Sequence, residues 1–408
     1  MSAVDRRSIT AVLAATVLAV AGCSSGSDEP GNTPAATGGQ GPLKIGSVLP
    51  TTAYAGAGEP LVAAVNLAFS DINEAGGVLG GKAELKQVDS TDNNDTAGQA
   101  VDSLVTWGAD VVVGAYGSGM TGAIVQKVVD SGAVQISGSN TSSKLTGINK
   151  QYFRTAPTDA LEAAKLADLI VQDGHGTVGM IAQNDAWGQA FQKELTEALD
   201  AAGVEVVAAQ QFNTTDTDFK AQIDAVSAAK PEAVVLLAYA SYAGTMIESL
   251  VGTRGYTDKN LYLSSSTLGE YTIKPELLKG LRGFLSAPSP AVSADFEARL
   301  KKIDSKLTAF AYAPATYDAV IVSALAAIAA KSTDGKAIAA KLPEVSGSSG
   351  NGTKCTAFKE CADLLGQGKV IDYDGLSGGL KFDGSNDVTE TEYQLNVYGA
   401  DGKYAPRQ

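Results

Sequence analysis

"DVVVGAYGSGMTGAIVQKVVDSGAVQISGSNT", residues 110–141, decides the fold. It contains one design twice. An apolar run, "VVVG" and then "AVQI", stops abruptly in small residues and hydroxyls, "AYGSGMTGA" and then "SGSNTSS". Between them the apolar positions fall at helical spacing. Short unbroken apolar runs read as strands buried on both faces, and strands joined through a helix read as a parallel βαβ unit. The two hydroxyl-bearing turns therefore lie at the carboxyl ends of neighbouring parallel strands, where open α/β sheets bind ligands. Turns of this kind cradle a phosphate, place a nucleophile or hold a small polar molecule.

The same alternation extends outward in both directions. "LKIGSVLP" (43–50) reads as a strand and "EPLVAAVNLAFSDINEAGG" (59–77) as a helix closed by Gly76 and Gly77. Strand 84–90 and helix 95–107 lead into the opening stretch. A second series begins with a helix at 159–173. It continues through strands at 177–183, 204–212, 233–239 and 261–266 ("LYLSSS"), with helices at 190–203, 218–230 and 243–255. "YFRTAPTD" (152–159) and "FLSAPSPA" (284–291) combine extended residues with proline, as connections between lobes do. Helices then resume in "DFEARLKKIDSKL" and "APATYDAVIVSALAAIAAK", and the chain ends in hairpin-like "GLKFDGSNDVTETEYQLNVYGADGKY". The expectation is an α/β chain of two lobes, each a mostly parallel sheet flanked by helices, with a cleft between them.

Composition agrees with this and removes some function classes. At 408 residues the chain exceeds what one core serves, and 44% apolar with 19% charged residues is ordinary for a globular protein. The net charge of −14 argues against nucleic acid as a partner, because phosphate contacts need a basic surface. The start, "MSAVDRRSITAVLAATVLAVAGCSS", has two arginines, an apolar stretch from Ile9 to Ala21 and then small residues. That stretch is short for a membrane span and reads as a secretory signal over 1–22. "VAGC" (20–23) resembles the lipobox of bacterial lipoproteins, which implies cleavage before Cys23 and a lipid on its thiol. Arg6-Arg7 leaves the general secretory and twin-arginine routes both open. Residues 23–42, rich in Gly, Pro, Ser and Thr, read as a flexible tether. The expected location is extracytoplasmic, anchored to the cell membrane through Cys23. Cys355 and Cys361 then remain, and two nearby cysteines in an exported protein point to a local disulfide. Two thiols make a poor zinc site, and the sole histidine, His175, is distant in sequence, so no metal is expected.

With these elements in place, "LKIGSVLP…DINEAGGVLGGKAELKQVDSTDN…ADVVVGAYGSGMT…VQISGSNTSSKLT…YFRTAPTDA" resembles the type I periplasmic binding proteins of the Leu/Ile/Val-binding group, the extracytoplasmic receptors of ABC importers. The resemblance runs over 43–408. It implies a fold with three inter-lobe crossovers, the first lobe formed by 43–156 and 288–375 and the second by 157–287 and 376–408. It also implies a small-molecule ligand, ABC permease subunits as partners, no cofactor and no enzyme activity, in a chain expected to be monomeric. The ligand would be a branched-chain or other amino acid, or a related amide or carboxylic acid, captured by cleft closure. A ligand-sensing subunit working through a separate membrane partner is the alternative.

Matched position by position, the family's grip on a ligand carboxylate falls on Ser118, Ser139 and Thr141, with Asn140 between the last two. Neutral donors at these turns also suit a carboxylate or amide on chemical grounds alone. From the second lobe the match gives aromatic cover by Trp187 and Tyr239. Two departures stand out. The family's ammonium-pairing carboxylate falls on or beside Ser266, which has no charge, with Glu270 four residues on. An aromatic in the first βα turn falls near Ala57, with Tyr54 close by. These departures widen the expected ligands to amides and to hydroxy, keto or aromatic acids. Other chemistries fit less well. No Lys-Ser/Thr follows "GAYGSGM", so the phosphate-loop pattern fails. No G-x-S-x-G occurs there, and His175 sits in a surface-type turn, "QDGHGT". The carboxylates Asp185 and Glu270 belong to no catalytic motif.

Overall fold

The computed structural model describes residues 39, 41–54, 56–286, 290–389, 391 and 393–407. The signal segment, Cys23 and nearly all of the tether lie outside them.

The first series forms β1 (Lys44–Leu49), α1 (Gly58–Glu74), β2 (Glu84–Asp89), α2 (Asn94–Trp107), β3 (Val111–Gly114), α3 (Ser118–Asp130), β4 (Val134–Ser137) and β5 (Tyr152–Arg154). The strands are parallel, in the order β2-β1-β3-β4-β5. β3 and β4 are buried at every residue, which is why their sequences read as unbroken apolar runs rather than alternations. Gly114 ends β3 at φ +116°, and a Cβ there would fall 2.4 Å from the Val48 carbonyl oxygen. Only glycine permits both the turn and that approach.

The second series forms α4 (Asp159–Gln172), β6 (Thr177–Gln183), α5 (Ala186–Ala201), β7 (Glu205–Phe212), α6 (Lys220–Ala228), β8 (Ala233–Leu237), α7 (Ala240–Gly252), β9 (Leu261–Leu263), α8 (Pro275–Leu278) and β10 (Arg282–Ser286). The chain then returns through α9 (Pro290–Ile303), α10 (Ala313–Ala330), α11 (Gly335–Val345), β11 (Thr353–Cys355), α12 (Phe358–Gly366), β12 (Ile371–Gly375) and β13 (Gly378–Gly379), and closes with β14 (Tyr393–Tyr398) and β15 (Tyr404–Pro406). The second sheet has the order β15-β14-β10-β9-β8-β6-β7. Its last two strands are antiparallel additions at one edge. Central β8 is wholly buried, whereas edge strand β7 is largely exposed or half-buried.

α10 is apolar on nearly every face and long enough to cross a membrane, yet 78% of it is buried inside the first lobe. It is the core helix, packed among α1, α11 and the first sheet. Gly138, just after β4, lets that turn press against the start of α10, since a Cβ would fall 2.3 Å from the Thr316 nitrogen. Cys355 and Cys361 are joined, which ties β11 to the first turn of α12.

Three details differ from the sequence reading. "LYLSSS" is a strand only to Leu263. The Thr267 hydroxyl reaches the carbonyls of Leu236 and Ala238, and the serines coil into a short turn instead. The hairpin-like C-terminus is two separate turns. Phe382 and Val388 pair across a tight turn and belong to the first core, while β14 and β15 pair in the second sheet. The chain therefore stays with the first lobe through Val388, anchored by Asp387 on Arg154, rather than leaving at 376.

Candidate functional site

Both turns of the opening stretch point into the space between the lobes. Ser118 is the first residue of α3, and Ser139 and Thr141 follow β4. With Tyr116 and Tyr312 they form the first-lobe wall of a small inner cavity, closed on the other side by Trp187, Tyr239 and Ser266. The turns are braced from behind. Thr121 Oγ1 accepts from Ala115 N (3.0 Å) and donates to Asn140 Oδ1 (2.6 Å). The Asn140 amide donates to the carbonyls of Ala115 (3.0 Å) and Tyr116 (2.9 Å), and its oxygen also accepts from the Tyr152 hydroxyl (2.9 Å). Both ends of that amide are committed and the residue is fully buried. Asn140 thus holds the two turns in register and has nothing left for a ligand, a correction to its expected role. The hydroxyls of Ser118 and Ser139 make only long contacts, 3.4–3.5 Å, and so retain donor capacity.

Aromatic side chains fill most of the interface. Trp187, in the first turn of α5, stacks on Tyr239 at 4.8 Å and 22°. Tyr54 and Tyr116 meet Tyr239 at 5.7 and 5.8 Å. The inner cavity retains only about 10 Å³, room for one water-sized sphere. Beyond the tyrosines lies an outer chamber of about 450 Å³, bordered by Tyr54, Ala57, Tyr239, Ser266, Tyr271 and Tyr312. That size suits a small organic molecule. Glu270 lies in its wall, exposed, and does not border the inner cavity. Asp185 caps α5, accepting from Gly188 N (2.8 Å). His175 sits at the surface, with Nε2 2.9 Å from the Lys259 carbonyl oxygen, away from both spaces. Among the described residues no cluster of His, Cys, Asp and Glu has the makings of a metal site.

The site holds residues that pattern reading missed. Tyr312 precedes α10 at φ +61°, a conformation costly for a bulky side chain. Its hydroxyl lies 3.0 Å from Ser265 Oγ and 3.3 Å from Ser266 Oγ. Asp159 and Glu162, in the first turn of α4, are buried beside the cleft. Glu162 accepts from Ser265 N and Oγ, both at 2.6 Å. Asp159 Oδ1 accepts from Trp187 Nε1 at 3.2 Å. Burial pushes Glu162 up to about 7, with the Ser265 donors pulling against it. Burial and the neighbouring Glu162 push Asp159 up as well, opposed by Thr141 and Trp187. Ser266 is uncharged, but two buried carboxyl groups reach this corner from α4.

Comparison with known proteins gives the same frame. A family model described as periplasmic binding protein matches residues 42–361. The chain is 27% identical to the chemotactic signal transduction system substrate-binding protein BasB of Halobacterium salinarum over 357 residues, 83% of each chain. Among solved structures, it resembles the leucine binding protein LivK of Thermotoga maritima with a TM-score of 0.74 and 18% identity, covering 90% of this chain and 98% of that one. It resembles LivJ of Streptococcus pneumoniae, a branched-chain amino acid transporter substrate binding protein in complex with isoleucine, with a TM-score of 0.72 and 21% identity, covering 89% and 98%.

Proposed function

Because the chain belongs to the periplasmic binding protein family, we propose that it is the extracytoplasmic substrate-binding component of an ABC importer. It captures a small polar organic solute, an amino acid or a related amide or carboxylic acid, and presents it to permease subunits. One observation carries this reading: Ser118, Ser139 and Thr141 from one lobe meet Trp187, Tyr239 and Ser266 from the other around a single cavity. The hydroxyls and the α3 N-terminus suit an acceptor group on the solute, and the aromatic rings cover its apolar part. Closure of the second lobe then buries the solute and forms the surface the permease recognises. No step makes or breaks a bond.

Thermal unfolding against leucine, isoleucine, valine, small amides, and aliphatic and aromatic acids tests it. A solute at a hundred times its dissociation constant adds about 2.7 kcal/mol and raises the midpoint by about 2 °C or more in a chain this size. Ser118→Ala and Thr141→Ala are each expected to weaken that solute about tenfold, the worth of one to two hydrogen bonds, without lowering the midpoint of the free protein. Unchanged affinity in both removes the pocket assignment.

The anchor belongs to the same proposal: Cys23 carries the lipid, and residues 24–42 let the body stand off the membrane. Cys23→Ser is expected to move the protein from the membrane fraction to the soluble one. Retention on the membrane counts against the anchor. The similarity to BasB favours a second reading, a sensing subunit that signals through a separate membrane partner. Loss of solute uptake in cells lacking the protein supports the importer, and loss of taxis alone supports the sensor.

A further inference from the structure

Beside the cleft the lobes also meet along α5. Residues seven apart share a helix face, so Glu194 lies two turns on from Trp187, on the side of α5 that also carries buried Ala190. That side abuts the first lobe. α3 and the short turn Ser143–Leu145 pack against α5, the Ser142 hydroxyl donates to the Ala186 carbonyl, and Lys144 Nζ donates to Gln189 Oε1. Glu194 carries a carboxyl into this seam with nothing to receive it. Both of its oxygens are shut off from water, and neither has a hydrogen-bond partner. A carboxylate so placed is costly, and taking up a proton is the usual relief.

The charges around it do not supply a counterion. On α5 itself, Lys193 and Glu197 are exposed and paired with each other. From the first lobe, Lys144 is engaged with Gln189, and Lys127 and Asp130 of α3 with Asp102 and Gln126. Arg154 on β5 is taken up by Asp387, Thr146 and the Ser142 carbonyl. From α4, Asp159 and Glu162 bring buried carboxyls of the same sign, while Lys165 and Asp168 are exposed. β6 and β8 carry no charge, and β7 only Glu205 at its exposed first residue. Burial accordingly raises Glu194 above its ordinary 4.5, with the Ser143 side chain, Arg154 and Lys193 pulling only part of the way back.

We propose that Glu194 couples closure of the cleft to a proton: closing the lobes shuts this carboxyl away and takes up one proton from the solvent, and reopening releases it. This inference rests on the cleft-closure part of the reading above. In the open form α5 and the 143–145 turn part, and the carboxyl regains water and its ordinary value. The closed form therefore holds the proton more tightly. As pH falls toward 4.5 the closed form gains, and below 4.5, where both forms are protonated, it gains no more. Above the closed-form value, closing buries a full charge, so the cleft opens more readily and the solute leaves sooner.

Double electron–electron resonance on the free full chain tests this without a solute. Spin labels go on Gln99→Cys in α2 of the first lobe and Ala221→Cys in α6 of the second, both exposed, with Cys23→Ser so that only these two react. The closed population is expected to rise at least about threefold from pH 7.5 to 5.0, the response to a rise of about one unit at Glu194. Glu194→Gln is near-isosteric and uncharged, and thermal unfolding checks that it folds. It is expected to raise the closed population at pH 7.5 at least about threefold over the parent and to respond less to pH. Glu197→Gln removes only an exposed charge three residues on and is expected to stay within about twofold of the parent at both pH values. A closed population that ignores pH overturns the inference and leaves cleft closure standing. So does Glu194→Gln behaving as the parent does at pH 7.5. A single distance in every variant at both pH values brings the inference down together with cleft closure.

Discussion

Glu162 shows what burial does to a single group. Its ordinary value of 4.5 rises to about 7 because the ionised form loses its hydration, and two Ser265 donors recover only part of the loss. The sign for stability follows. Between pH 4.5 and 7 the folded protein holds this proton more tightly than the unfolded chain, so raising pH through that window lowers stability, by at most about 1.4 kcal/mol per pH unit for one group. Outside the window the contribution is flat. Asp159, Asp185, Glu194 and Asp318 are also raised, each chiefly by burial, and add slopes of the same sign. Glu162→Gln is therefore expected to reduce the fall in urea midpoint between pH 5 and 7, without abolishing it. Parallel wild-type and variant curves across that window would mean that Glu162 ionises as easily folded as unfolded.

At the scale of elements, what could be read in the sequence tracks how local each cause is. β3 and β4 are legible because a strand covered on both faces needs apolar residues at every position. The turns after them are legible because glycine and hydroxyl residues at a strand end have few other uses. Gly114 and Gly138 turn out to be set by backbone approaching within 2.5 Å of where a Cβ would be. The serines of "LYLSSS" are not legible as a turn, because the bond that coils them is Thr267 reaching back to β8. Asp159 and Glu162 look in sequence like acids placed to favour a helix N-terminus, a common arrangement. Only the packing of α4 against Ser265 and Trp187 makes them part of the cleft. Tyr312 is missed for the same reason, since nothing around "AFAYAPAT" announces that its hydroxyl meets the loop after β9. Asn140 errs the other way. Its place between Ser139 and Thr141 suggests a ligand donor, yet its amide is committed to the neighbouring turn and Tyr152.

For the molecule as a whole, the question is what holds the lobes together around the cleft. Trp187, Tyr239 and the neighbouring tyrosines leave space for about one water-sized sphere, so a solute enters only when the lobes separate or the rings swing aside. Among the polar contacts that join the lobes beside that wall, two differ in setting. The buried Ser142 hydroxyl donates to the half-buried Ala186 carbonyl (3.2 Å), and Lys144 Nζ donates to Gln189 Oε1 (3.1 Å) at the surface. These contacts are not equal. The exposed lysine contact competes with water and contributes little, whereas losing the half-buried serine bond costs about 1 kcal/mol. That cost falls on the closed form alone, because the open form hydrates both groups. Ser142→Ala is therefore expected to speed solute dissociation about fivefold with association unchanged, and Lys144→Ala to change neither appreciably. Stopped-flow fluorescence reads both rates, since Trp187 lies in the closing wall. Equal effects from the two substitutions, or a slowed association in place of faster release, would show that these contacts do not set the lifetime of the closed form. The stacked rings would then be left as the element that holds the cleft shut.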